Sequence, residues 1–194
     1  MQAARRVLVR RGLAATTLDA IAEEAGLTKA AIYYYFPSKD ALFFELVSST
    51  VAAQAHAIDD AVARTETGTE AIAALIRGAV EVFAPSMDDF RIAFLHGQVA
   101  GPASIHVAAE QLARIRPLND IMYAGAARRL EADRAKRRSR IDVKPRMLAF
   151  LAHMSAIGIL TMKGMVESVN DPLLYSDDEL IDAMAQVFAA AIAE

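Results

Sequence analysis

Apolar residues recur along the chain at spacings of three and four, and no stretch alternates apolar with polar as a half-buried strand does. The pattern predicts an all-α protein whose helix boundaries are set by Gly, Pro and capping residues. A first helix runs from near Gln2 to Arg11 and stops at Gly12. Thr17 caps a second, with Asp19 in its first turn and Leu18, Ile21, Ala22 and Ala25 on one face, ending at Gly26. Thr28 caps a short third helix, which ends at Phe36-Pro37 because a proline disfavours helical geometry in the residue before it. Ser38 opens a long fourth helix to about Arg64. After a polar break at Thr65 to Gly68 comes a helix to about Ala84. Ser86 with Asp89 reads as a capping box for a helix through about Gly97. Beyond a break at Gly101-Pro102, Ser104 to Arg116 and Pro117 to about Arg138 are expected helical, with Pro117 a kink or a first-turn residue. Two helices remain, Pro145 to Ser168 and Ser176 to Ala193, the last opened by a capping box of Ser176 and Glu179.

The segment Thr17 to Phe36 holds two short capped helices joined by the tight turn Gly26-Leu27-Thr28, which is the pattern of a helix-turn-helix. Gly26 supplies the left-handed turn residue, and Leu27 is expected to enter the small core between the helices. Ile32 and Phe36, four apart, should face inward. That leaves Ala30, Ala31 and Tyr34 outward, with Lys29 and Tyr33 at the flanks. Small outward residues let a helix backbone approach a groove, and a helix over Thr28 to Tyr35 is about 12 Å long, near the width of the DNA major groove. Thr17, Thr28, Tyr33, Tyr34 and Lys39 are candidates for phosphate contacts, and Lys29 for reading a base edge. The alternative is that the tyrosines pack as core and the lysines are merely solvated.

At these residues the chain resembles the tetracycline-repressor (TetR) family of regulators. The resemblance is carried by Gly12, Thr17, Ile21-Ala22, Ala25-Gly26-Leu27-Thr28-Lys29, Ile32-Tyr33-Tyr34-Tyr35-Phe36, Pro37-Ser38-Lys39 and Ala41-Leu42. It implies an all-helical dimer with an N-terminal DNA-binding domain, expected at 1–46, and a variable effector-binding and dimerisation domain, expected at 47–194. It further implies repression relieved by a small molecule. Leu8 stands where the family commonly has phenylalanine, and the first helix lacks its opening turns.

Composition narrows the classes. The 55% hydrophobic fraction comes mostly from helix-compatible residues, and the absence of cysteine excludes disulfides, thiolate metal sites and a thiol nucleophile. A net charge of −3 does not announce nucleic acid; in the first fifty residues Arg5, Arg6, Arg10, Arg11, Lys29 and Lys39 are opposed by Asp19, Glu23, Glu24, Asp40 and Glu45, a near-neutral to slightly basic balance that only weakly favours DNA contact there. The start has no apolar run or cleavage site, so a cytoplasmic location is expected. The apolar stretch Met147 to Met162 falls short of the ~20 residues a membrane span needs. The run from Arg128 to Arg146 reads as a solvated helix end and loop rather than a second polyanion site.

The later helices suggest two further surfaces. Leu148, Leu151, Ser155, Ile159 and Met162 form one stripe of the helix from Pro145, yet other faces of it are apolar too, so it needs covering on several sides. Pairing it, with Met184 and Phe188 of the last helix, against its symmetry mates in a four-helix bundle would give a homodimer reading a near-palindromic operator in double-stranded DNA. The alternative is burial within one subunit. A mostly apolar effector is expected against Phe90, Phe94, Met122, Tyr123, Phe150 and Met154, with His96 and His153 as polar anchors. His56, His96, His106 and His153 lack metal spacing, so no metal, no cofactor and no enzyme are expected. The runner-up is a helical enzyme or ligand-binding protein using His96, His106 and nearby carboxylates.

Overall fold

A computed structural model describes residues 1–95, 109–136, 142–169 and 175–192. Every regular element among them is helical: α1 (Gln2–Ala15), α2 (Leu18–Ala25), α3 (Lys29–Tyr35), α4 (Lys39–Ala63), α5 (Gly68–Glu81), a single turn α6 (Met87–Phe90) continued by a wider π turn (Arg91–Leu95), α7 (Ala109–Ala135), α8 (Pro145–Val169) and α9 (Asp177–Ile192). The chain divides into two compact units. The first comprises residues 1–52 with 85–116, and the second comprises 53–84 with 117–194. The expected domain 1–46 lies wholly within the first.

In the first unit, α1 packs on α2 and α2 on α3 around Ala4, Val7, Leu8, Leu18, Ile21, Ala22, Ile32, Leu42, Phe43, Leu46 and Ile92. Gly12 takes φ 71° and breaks α1 at the point where the first helix is expected to end, and Gly26 takes φ 66° to end α2. Leu27 does not enter the core. The Leu27 N–H bonds back to Ala22 O at 2.8 Å, and its side chain is left 47% exposed. Nor do Ser86 and Asp89 form a capping box, since the Ser86 side chain makes no cap and Asp89 instead pairs with Arg5, Nε to Oδ1 2.7 Å. The one α turn there runs on as the π turn to Leu95, and the expected helix end at Gly97 lies outside the described residues.

In the second unit α5 is largely apolar and packs against α8 and α9. It begins with a capping box inside what reads in the sequence as a mere polar break: Thr67 Oγ1 accepts from Glu70 N, and Glu70 Oε2 accepts from Thr67 N, both at 3.2 Å. Glu179 accepts from Ser176 N at 2.8 Å, as expected for α9. Pro117 lies inside one continuous helix, α7, and not at a start. Much of the basic run has structural work. Arg129 donates to Thr65 O at 2.7 Å and Ala63 O at 3.1 Å, Arg134 pairs with Asp142, and Arg146 pairs with Asp120. Arg137, Arg138 and Arg140 lie outside the described residues.

Candidate functional site

The two capped helices α2 and α3 are built by their own first residues. Thr17 Oγ1 accepts from Ala20 N and Thr28 Oγ1 from Ala31 N, each at 3.2 Å, so both hydroxyls satisfy helix ends. α3 is fixed to the core by Ile32, 4% exposed, and by the half-buried Phe36. Its other side is open: Lys29, Ala30, Tyr33, Tyr34 and Tyr35 are exposed, Tyr34 the most at 83%, and Ala31 is half-buried. The tyrosines are therefore surface, not core. Tyr34 and Tyr35 meet edge to face with centroids 5.3 Å apart.

Charge on this face is paired. Lys29 Nζ donates to Asp19 Oδ2 at 2.6 Å, and that hydrogen bond raises the ammonium above its ordinary pKa. Arg6 Nε donates to Glu24 Oε1 at 2.7 Å and Arg10 bonds the other oxygen, which holds the Glu24 carboxyl below its usual range and ties α1 to α2. Lys39 holds the end of another helix. Its Nζ donates to Leu13 O at 3.0 Å and Ala14 O at 3.5 Å, closing the carbonyl end of α1. Neither this role nor the Asp19 partnership has a local sequence signal, because each joins residues ten or more apart.

The expected effector residues are divided between the two units. Phe90 and Phe94 stack on one another with centroids 5.3 Å apart in the first unit, where Phe90 is fully buried. Met122, Tyr123, Phe150, His153 and Met154 fall in the second, and His96 and His106 lie outside the described residues. In the second unit Tyr123 and His153 are buried and joined, Oη to Nδ1 2.6 Å, while His153 Nε2 lies 3.2 Å from Gln54 Oε1. Gln54 Nε2 donates to Ala79 O at 3.2 Å, so its Oε1 can only accept. His153 is then the Nε2–H tautomer and Tyr123 the donor to Nδ1. Burial pushes the His153 pKa down to about 4 and the Tyr123 pKa up to about 12, so both stay neutral. Phe150 stands edge-on to Tyr123 at 5.9 Å and, like Met154, is exposed.

Of the expected dimer residues, Leu148 and Ile159 are buried within the subunit, 3% and 7% exposed, because they face its own core. Leu151 and Met162 are exposed, and Ser155, Met184 and Phe188 are half-buried. Met147, Phe150 and Met154 extend the exposed apolar stripe along α8. Beside it a groove of about 430 Å³ is lined by Ser155, Gly158, Ile159, Met162, Leu180 and Met184, among others.

A helix-turn-helix with an open second helix, in one chain with an all-helical second unit, defines the class: an all-α helix-turn-helix protein. Residues 1–46 match the family model described as bacterial regulatory proteins, tetR family. Solved structures agree in fold over almost the whole chain. Bacillus subtilis transcriptional regulator FadR, in complex with stearoyl-CoA, superposes with a TM-score of 0.76 at 15% identity, covering 98% of this chain and 96% of that one. A TetR/AcrR-family transcriptional regulator from Thermobifida fusca gives 0.65 at 23% identity, over 96% and 92%. The MbdR regulator from Azoarcus sp. CIB gives 0.70 at 21% identity, over 100% and 96%. Comparison with curated protein sequences finds no match. The likeness to the tetR family of bacterial regulatory proteins is carried by the N-terminal module, residues 1–46.

Proposed function

We propose that the protein is a cytoplasmic repressor that binds a near-palindromic operator as a homodimer and leaves it when a mostly apolar small molecule occupies the second unit. The observation that carries the DNA reading is α3 itself: Ile32 is anchored in the core while Ala30 and Tyr34 stand clear on the opposite side and Lys29 and Tyr33 are exposed on the flanks. Exposed Tyr33 and Tyr34 supply hydroxyls for flanking phosphates, and the amide ends of α2 and α3 add positive potential. Thr17, Thr28 and Lys39 reach phosphates from positions they already hold as caps.

Support for the effector is the set of Met and aromatic side chains in the second unit together with the Tyr123–His153 pair, a neutral polar group in apolar surroundings. The similar fold of FadR was solved with stearoyl-CoA, which makes a long-chain acyl thioester a sensible first probe. The helical enzyme alternative rests on His96 and His106, and no observation favours it.

Duplexes selected by the full-length protein from a randomised library test the reading. The selected duplex should outcompete a shuffled one by a factor of about 10³ or more, with affinity falling steeply as salt rises. Titrating stearoyl-CoA into the complex then tests for release. Equal binding to both duplexes would refute sequence-specific regulation.

A further inference from the structure

The pairing of Lys29 with Asp19 does more than neutralise two charges, and the role it suggests rests on the DNA-binding reading above. An ammonium has three N–H donors and no acceptor. One is spent on Asp19 Oδ2 at 2.6 Å. The other Asp19 oxygen, Oδ1, is covered and has no hydrogen-bond partner, so this carboxylate depends on Lys29 alone among its described neighbours. Lys29 is nevertheless open, with three-quarters of its side chain exposed, and so presents two remaining donors and nothing else.

Among base edges in the major groove only guanine offers two adjacent acceptors, O6 and N7. Adenine sets a donor beside its N7, thymine sets a methyl beside its O4, and cytosine offers a donor. We infer that the Asp19–Lys29 pair is a guanine-reading unit, in which Lys29 donates to O6 and N7 of one guanine in each half-site and Asp19 is the positioning residue that aims the ammonium and cancels its charge. The cancellation separates this role from a phosphate contact. A neutral pair releases few counterions, whereas a free lysine on a phosphate adds about one to the salt slope. Asp19 therefore withholds Lys29 from indiscriminate backbone binding.

The test uses the full-length protein with duplexes selected from a randomised library and their shuffled counterparts. Replacing the guanine by 7-deazaguanine removes the N7 acceptor and should weaken wild-type binding by about tenfold. The double variant Asp19→Asn/Lys29→Met leaves net charge unchanged, so it should lose the guanine preference, ignore 7-deazaguanine and keep the wild-type salt slope. Asp19→Asn alone should free the lysine, raising affinity for the shuffled duplex and steepening the slope by about one while guanine preference falls. Lys29 is exposed and Asp19 half-buried, and folding is checked by an unchanged melting temperature. A Lys29→Met variant that weakens selected and shuffled duplexes equally, with a slope shallower by about one, would make Lys29 a phosphate contact and overturn the inference while leaving the regulator intact. A selected consensus without guanine in its half-sites would overturn it as well. Failure to select any duplex would remove the regulator reading and the inference together.

Discussion

His153 has both ring nitrogens committed, one to Tyr123 and one to Gln54, in a site 4% exposed where a positive charge has no partner. Its pKa falls from 6.5 to about 4 on folding, so between those values the unfolded chain binds the extra proton and the folded one does not. Stability from this residue is intact above pH 6.5, is lost as pH falls toward 4, and stops falling below that, a loss on the order of 3 kcal/mol. Urea unfolding of wild type and His153→Gln across pH 4 to 7 should show a weaker pH dependence in the variant; parallel curves would mean that His153 is charged in the native protein. The sequence marked His153 as a polar residue on an apolar helix, but its partners come from α4 and α7, at separations of 99 and 30 residues that no local spacing encodes. Leu27 shows the converse. An apolar residue in a tight turn reads as core, yet the left-handed Gly26 directs the chain so that this side chain is left in solvent.

At the level of elements, the caps that lie within four residues of one another were legible: Thr17, Thr28 and Ser38, and Ser176 with Glu179, all hold their helix starts. Ser86 with Asp89 has the same spacing and fails, because Arg5 from α1 claims the carboxylate. The corner between α4 and α5 was hidden for a related reason, being held from outside by two residues one turn apart on α7. Arg129 takes the carbonyls of Ala63 and Thr65 at the end of α4, and buried Asp133 accepts from Gly68 N at 2.6 Å at the start of α5. Each charge meets the helix end whose dipole it complements. Asp133→Ala would leave a buried N–H without a partner and should lower unfolding free energy by about 1–3 kcal/mol, with Asp133→Asn costing less. A urea midpoint unchanged in Asp133→Ala would show that water satisfies Gly68 instead. DNA affinity measured well below the transition should be the same in both variants, since neither touches α3.

For the molecule as a whole, the proposed homodimer turns on the open side of α8. Its buried residues Leu148, Ala149, Ala152, Ala156 and Leu160 already cover one side within the subunit, which is why the expected stripe containing Leu148 and Ile159 is partly spent. The remaining apolar side, Met147, Phe150, Leu151, Met154 and Met162, is exposed, and a stripe of that length on a lone subunit is the signature of a surface meant to be covered. A dimer formed by this stripe against its own copy would supply one α3 helix for each half of the near-palindromic operator proposed above. Ile159→Glu would be a poor test, since a charge in a side chain only 7% exposed damages the subunit itself. Met162, 55% exposed, and Leu151 are the informative positions. Leu151→Glu/Met162→Glu should convert a dimer to a monomer of unchanged helicity in sedimentation, because neither residue supports the core of its own subunit. The monomer should bind a single half-site about as well as each wild-type arm does and lose most of the affinity for the full site, since two linked contacts gain an effective concentration that separate ones lack. A double variant that sediments as a dimer would place the interface on another face, and one that is monomeric yet keeps full-site affinity would show that a single copy reads the operator.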